Sequence, residues 1–421
     1  MDSIMVCGGR PLYGETRIQG SKNAALPILA ATVLVKGKTR LYRCPKILDI
    51  IYMLHILREI GCTVFWEDED VLVIDAADCD GYEIAEQYAG KMRSSIILLG
   101  SVLGRNGRVQ VPYPGGCIIG KRPIDMHIAA LQTMNVHIET HEKTLSAQTS
   151  GLTGATLDLA LPSVGTTENI ILAAVTARGR TRINGAAREP EIAALCDYLN
   201  HAGARITGAG TETIEINGVR RLQQTTYEIP ADRIVAGTYS LATVATRGST
   251  ILYDAPIHQM DAFIKIIQSM GARVSRIRHA DRIGLVIDAE QAVHAVEYLE
   301  TKEYPGFPTD LQSQLMTVLT TADGTSRILE TIFEERYKIV GELQKMGAHI
   351  TIQDREAVIE SVPRLQGTTL QASELRGGAA LVIAGLMAQQ TTIVENAHFI
   401  KRGHEDIVKD LKELSASIKY L

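Results

Sequence analysis

Several segments of this 421-residue chain carry side chains whose types and settings suit chemistry on a small anion. In Gly20-Ser21-Lys22-Asn23 a small-residue turn runs straight into an apolar stretch of helical length, so Lys22 and Asn23 fall at a helix N-terminus. Free backbone N–H groups and the helix dipole favour an anion there, and Lys22 adds a full charge. The same residues also read as a serine N-cap beside a solvated lysine. The spacing is not that of a P-loop, which needs GxxxxGK[ST]. Cys117 lies in a Pro- and Gly-rich loop that also holds Lys121 and Arg122. Such a loop exposes a thiol and the two cations favour its thiolate, although an incidental loop cysteine would look the same. In Tyr304-Pro305-Gly306-Phe307-Pro308-Thr309-Asp310 a rigid turn delivers Asp310 to a helix start, where it is either a positioned general base or an N-cap. Arg93, Arg336, Arg376 and Arg402 sit at element ends. Arginine makes bidentate contacts to phosphate and carboxylate, though each of these alone also reads as a solvated surface side chain.

Other chemistries find little support. His137, Glu139 and His141 alternate on a probable strand, but no fourth metal ligand accompanies them, so a polar strand face is expected and no metal site. There is no HExxH, no GxSxG, and no GxGxxG in a strand–helix setting. Net charge is −5, with one Trp and five Phe, which offers neither the basic field nor the stacking surface that nucleic acid needs. An anionic ligand must therefore be held by a local cluster of Arg and Lys. The N-terminal residues lack a basic stretch followed by an apolar one, so no signal peptide is expected, and no apolar run is long enough to span a bilayer. The six cysteines at 7, 44, 62, 79, 117 and 196 form no CxxC pair, which predicts a cytoplasmic protein with free thiols.

These residues must be positioned by regular elements, and the chain repeats itself. A turn of Gly, a small or basic residue and Thr, followed by β-branched alternation, recurs at 37–41, 179–183, 248–252 and 324–328, with weaker copies at 107–110 and 390–393. An Ala/Leu/Ile-rich helical segment precedes each, and a second helical pattern follows. That second pattern ends at Gly61, Asn135, Gly203, Gly271, Gly347 and Ser415, in each case before a strand. Glycine there accepts the positive φ of a helix C-terminus, and β-branched residues restart a strand. The landmarks are 74, 68, 68, 76 and 68 residues apart. Six copies of one helix–strand–helix–strand unit, three per half, are therefore expected, with the seam near 227–232.

Taken together, GSKNAALPILAA at 20–31, PGGCIIGKRPIDMH at 114–127, SVGTTEN at 163–169, AAREPEI at 186–192, YPGFPTDLQ at 304–312 and TIFEERY at 331–337 resemble the UDP-N-acetylglucosamine 1-carboxyvinyltransferases, a family of enolpyruvyl transferases. The resemblance runs over almost the whole chain. It implies an α/β fold of two inside-out α/β domains, each of three repeated helix–strand units, with the site in the cleft between them. The domains would be 22–230, carrying the Cys117 loop, and 1–21 with 231–421. The implied partners are phosphoenolpyruvate and UDP-N-acetylglucosamine, with no cofactor, no metal, no nucleic acid and no membrane insertion; oligomeric state is left open. The implied reaction is transfer of the enolpyruvyl group to the sugar 3-hydroxyl by addition and elimination with release of phosphate. This is the first committed step of peptidoglycan precursor synthesis, and so of cell-wall biogenesis, cell shape and division.

The resemblance gives catalytic roles to Lys22, Cys117, Asp310 and Arg402. Cys117 would be the general acid or assist product release, and would be the target of fosfomycin. Asp310 would lie near the 3-hydroxyl. Substrate contacts would fall on Lys22, Asn23, Arg93, Arg122, Pro123, Ile124, Asp125, Met126, Ser163, Val164, Gly165, Asp310, Ile332, Arg336, Arg376 and Arg402. Two departures stand out. Glu374-Leu375-Arg376-Gly377 replaces the family's frequent Asp-Leu-Arg-Ala, and Tyr113 replaces a Leu beside the cysteine loop.

Overall fold

Each of the six turn landmarks has positive φ: 98° at Gly61, 69° at Asn135, 95° at Gly203, 104° at Gly271, 93° at Gly347 and 67° at Ser415. The left-handed residue ends one helix and redirects the chain into a strand, and Asn135 and Ser415 adopt it without glycine's freedom. The computed structural model describes residues 2–115, 119–120, 123–141, 143–279, 282–291 and 293–421. By their contacts the described residues form two units, one within 20–115 and 123–230, the other within 2–19, 119–120 and 231–421.

Among the described residues there are six sheets, one per repeat, five of four strands and one of three. The repeat is richer than the sequence pattern suggests. In the third, Thr156–Asp158 lies parallel to Arg180–Asn184, which pairs antiparallel with Thr213–Asn217, which in turn pairs with Ile206–Thr207. The fifth repeats this with Leu299–Glu300, Thr325–Leu329, Glu356–Glu360 and His349–Gln353. In these two repeats a short parallel strand before the first helix and a second hairpin strand are thus added to the helix–strand–helix–strand core.

Both units close by borrowing. In the first unit the leading parallel strand of repeat one comes from the far end, Thr225–Glu228 against Lys38–Tyr42. In the second unit the N-terminus supplies two strands. Tyr13–Arg17 lies parallel to Ser249–Tyr253, and Ser3–Cys7 inserts antiparallel between Thr391–Glu395 and Ser417–Tyr420.

The helices, not the sheets, fill each core. Ala24 to Thr32 are all buried in helix Lys22–Thr32, as are Thr166 to Ala174 in Val164–Ala174. Leu375–Met387 plays the same part in the second unit. These helices are buried nearly all round, with most of their polar residues toward the N-terminal end and the rest largely apolar, as suits a helix enclosed by its neighbours. Small residues let them approach closely: a Cβ on Gly100 would lie 2.3 Å from the Asn169 carbonyl oxygen. The sheets lie outside, with alternating burial such as that of Arg180–Asn184, where only Thr181 and Ile183 are fully buried. Because the central helices are enclosed along their length, their N-termini are where backbone N–H groups and polar side chains can meet a ligand.

Candidate active site

In the first unit the chemistry gathers at two such N-termini. Ser21 caps helix Lys22–Thr32 by accepting from the Ala24 N–H. Lys22, the first helical residue, places its Nζ 2.7 Å from Oδ2 of Asp49, whose side chain is 3% exposed against 14% for Lys22. Asn23 donates to Glu191 Oε1 at 3.4 Å. Asp49 and Glu191 each stand in the first turn of a neighbouring helix, where the positive dipole end favours a carboxylate. Lysine and amide are thus held by side chains that are themselves fixed.

The second N-terminus is that of Val164–Ala174, capped by Ser163, whose hydroxyl accepts from the Thr166 N–H. Gly165 follows, and a Cβ there would lie 3.2 Å from the ring of His127. His127 is buried and its Nδ1 lies 2.8 Å from Asn169 Nδ2. Asn169 Oδ1 accepts from the Gly100 N–H and its Nδ2 also donates to the Ile96 carbonyl, which fixes the amide's orientation. The amide therefore donates to Nδ1, and the imidazole carries its proton on Nε2. Arg93 opens a 3-10 turn and reaches the Pro123 carbonyl at 3.5 Å. Pro123 and Asp125 are exposed and Met126 is half-buried, whereas Ile124 is buried in the core. Only the backbone of Ile124 is left for a ligand. Cys117 and Arg122 lie outside the described residues.

In the second unit Asp310 does not cap a helix. It lies in the 3-10 turn Thr309–Leu311, and the following helix Gln312–Leu319 has Leu311 at its N-cap. The Asp310 carboxylate instead accepts from two guanidinium groups, from Arg336 Nη2 at Oδ1 and from Arg376 Nη2 at Oδ2, the latter at 2.7 Å. The arginine side chains are only 2% and 5% exposed, while the Asp310 side chain keeps 24%. Burial disfavours the charge on Arg376, but Asp310, Asp232 and Glu374 around it outweigh this and raise its pKa. Arg336 is further held by its Nε to Thr309 and lies 3.9 Å from Glu374 Oε2.

Glu330, fully buried, ties this corner together, accepting from the Ile332 and Phe333 N–H groups and from Thr309 Oγ1. Arg402 ends the 3-10 segment Ala397–Arg402, which packs on helix Leu375–Met387: a Cβ on Gly378 would meet Ile400 at 2.8 Å. The Gln19 side chain clamps the next turn, donating to the Gly403 carbonyl at 3.1 Å and accepting from the Glu405 N–H at 2.9 Å.

Such a corner, a part-exposed carboxylate held by two buried arginines, can orient an anion and accept a proton. The family model for EPSP synthase (3-phosphoshikimate 1-carboxyvinyltransferase) matches residues 6–411. UDP-N-acetylglucosamine 1-carboxyvinyltransferase 2 of Caldanaerobacter subterraneus is 44% identical over 99% of both chains. The UDP-N-acetylglucosamine 1-carboxyvinyltransferase of Cellvibrio japonicus is 42% identical over 100% of this chain and 99% of its own. This chain belongs to the UDP-N-acetylglucosamine 1-carboxyvinyltransferase family. Among solved structures, the enolpyruvyl transferase NikO of Streptomyces tendae superposes with a TM-score of 0.88 at 23% identity, over 99% of this chain and 98% of that one. An EPSP synthase of Acinetobacter baumannii gives 0.76 at 17% identity, over 100% and 99%. These likenesses establish the enolpyruvyl-transferase fold.

Within that family frame, the structure joins Asp310 to Arg336 and Arg376 in one unit, and places Lys22, Asn23, Ser163 and Gly165 at helix N-termini of the other. It also explains a departure from the family pattern. Glu374 caps helix Leu375–Met387, accepting from the Arg376 N–H at 2.7 Å and from the Gly377 N–H. A Cβ on residue 377 would lie 2.7 Å from Glu374 Oε1. The glutamate carboxylate thus occupies the space that a side chain at 377 would enter. Sequence reasoning passed over Asp49, Glu191, His127 and Asn169. Only Asp49 carried a local signal, as a lone carboxylate entering the apolar run Ile50-Ile51-Tyr52-Met53-Leu54.

Proposed function

We propose that this protein transfers the enolpyruvyl group of phosphoenolpyruvate to the 3-hydroxyl of UDP-N-acetylglucosamine, releasing inorganic phosphate, in peptidoglycan precursor synthesis in the cytoplasm. The observation that carries this is full-length identity of 42% and 44% to relatives bearing that activity as their name. The division into 22–230, and 1–21 with 231–421, belongs to the same reading.

The 3-hydroxyl oxygen adds to C2 of phosphoenolpyruvate while C3 gains a proton, giving a tetrahedral ketal. C3 then loses a proton as the bond from C2 to the phosphate oxygen breaks. Asp310 accepts the hydroxyl proton, since its carboxylate is fixed by two arginines yet part-exposed. Lys22, Arg93, Arg122, Arg336, Arg376 and Arg402 match the charges of substrate carboxylate and phosphates. Asn23, with 123–126, 163–165 and Ile332, orients the sugar nucleotide. Cys117 delivers the proton toward the vinyl carbon or assists product release. The test is phosphate release from phosphoenolpyruvate in excess EDTA. Release with UDP-N-acetylglucosamine, and none with shikimate 3-phosphate, is the expected result. The opposite preference, or a rate abolished by EDTA and restored by Mg²⁺, overturns it.

A further inference from the structure

Two cysteines with no place in this mechanism are brought side by side in the first unit. The loop after strand Val71–Asp75 runs back along the C-terminal turn of helix Leu48–Glu59. The Gly81 N–H donates to the Ile60 carbonyl at 3.1 Å, and a Cβ on Gly61 would lie 3.5 Å from Cys79 Cα. The Cys62 thiol hydrogen-bonds the Cys79 sulfur, and the residues are only 5% and 2% exposed.

Arg105, on helix Leu98–Asn106, braces the loop. Its Nε donates to the Cys79 carbonyl at 3.1 Å, and its Nη2 to those of Ala76 and Ala77 at 2.6 and 2.9 Å. Its buried Nη1 has no hydrogen-bond partner among the described residues, and its charge acts on both thiols. Cys196, by contrast, is a solitary core thiol pushed up to about 12 by burial.

We propose that Cys62 and Cys79 form an oxidisable dithiol, a modification site at which a hydroperoxide converts the pair into an intramolecular disulfide. The Cys79 thiolate attacks a peroxide oxygen and the O–O bond breaks, giving Cys79 sulfenic acid and, with hydrogen peroxide, hydroxide. The Cys62 thiol then displaces the sulfenic oxygen as water. The pair loses two electrons and two protons, and the peroxide is reduced to two waters. The direction of attack follows from Arg105, whose guanidinium donates to the Cys79 carbonyl at 3.1 Å and so stands beside that residue. The hydrogen bond with Cys62 lowers the Cys79 pKa. Arg105 assists at Cys79 and burial opposes. Because both sulfurs are buried, the reaction waits on local opening of the loop and the last helical turn.

The experiment treats the full chain with hydrogen peroxide until the half-buried Met5, Met126 and Met387 become sulfoxides, then digests with a protease that cuts after Glu67 and Glu69, between the two cysteines, and maps the peptides without reductant. A Cys62–Cys79 linked pair, separated by dithiothreitol, is expected. Recovery of both as free thiols, or a link from either to another cysteine, overturns the proposal. With dimedone as the sulfenic-acid probe, Cys79 in Cys62→Ser should label at least about tenfold faster than Cys62 in Cys79→Ser. Equal or reversed labelling overturns the assignment of Cys79 as attacking thiol. The wild-type disulfide map stands whether or not either variant folds.

Discussion

Asp310 is fixed by Arg336 and Arg376 yet keeps part of its carboxylate exposed, so its chemistry and its structural role can be separated by measurement. Asp310→Asn keeps the shape but not the charge. Turnover measured as phosphate release should fall by at least about a hundredfold, the usual size of a general-base contribution. Calorimetric binding of UDP-N-acetylglucosamine should persist, which separates lost catalysis from lost folding. Unchanged turnover would remove Asp310 from the reaction. Cys117 should be the cysteine that fosfomycin alkylates, faster with UDP-N-acetylglucosamine present, as peptide mass spectrometry reads directly. Cys117→Asp can still deliver a proton but is a poor target for the epoxide, so activity should survive and inactivation disappear. The residues readable from sequence were those at odds with their surroundings: Lys22 before an apolar helix, Asp310 after a Pro/Gly turn. Their partners were not readable, because Asp49, Glu191 and Glu330 owe their roles to distant segments that only folding brings near.

Helix ends decide how these groups are held, and the cap of Leu375–Met387 is the sharpest case. Gly377→Ala should push Glu374 off the helix N-terminus, and the lost cap, usually worth about 1 kcal/mol, should cancel most of the about 1 kcal/mol that alanine gains over glycine in a helix. Glu374→Asp combined with Gly377→Ala should recover most of that loss, since the shorter carboxylate clears the new methyl group. Additive effects in a denaturation cycle would show the two positions to be independent.

A second helix, Ile407–Glu413, carries a pH-dependent term. Burial pushes Asp410 up to about 6, against the Tyr239 hydroxyl that donates to it at 2.6 Å. Its ordinary value is 3.8, so between pH 3.8 and 6 the folded chain keeps a proton that the unfolded chain has released. Stability therefore falls as pH rises through that window, by on the order of 2 to 3 kcal/mol in all. Asp410→Asn should be the more stable protein at about pH 7.5, and the difference should vanish below about pH 4. An unaltered pH profile would show Asp410 to be ionised freely in the fold. The repeat itself was legible because its left-handed turn residues recur in step. The strands Thr156–Asp158, Leu299–Glu300 and Thr369–Gln371 were not, being two or three residues long and too short to show a period.

The two units differ in how the chain assembles them. The residues from Gly20 to Pro230 complete three repeats, the last piece being Thr225–Glu228 against Lys38–Tyr42. The other unit joins segments far apart in the chain. Ser3–Cys7 lies between Thr391–Glu395 and Ser417–Tyr420, Ile4 faces Tyr420, and the Leu421 N–H donates to the Ser3 carbonyl at 3.0 Å. On the ribosome this pairs a strand made early with strands made much later. Ser3–Cys7 must stay unpaired until then, its apolar Ile4 and Val6 without their sheet, while the intervening unit can fold as soon as Pro230 has emerged. Chains arrested some way past Pro230 should therefore hold a protease-resistant 20–230 core and a cleavable 2–19 segment. That segment should become resistant only once Thr391–Glu395 and Ser417–Tyr420 have emerged.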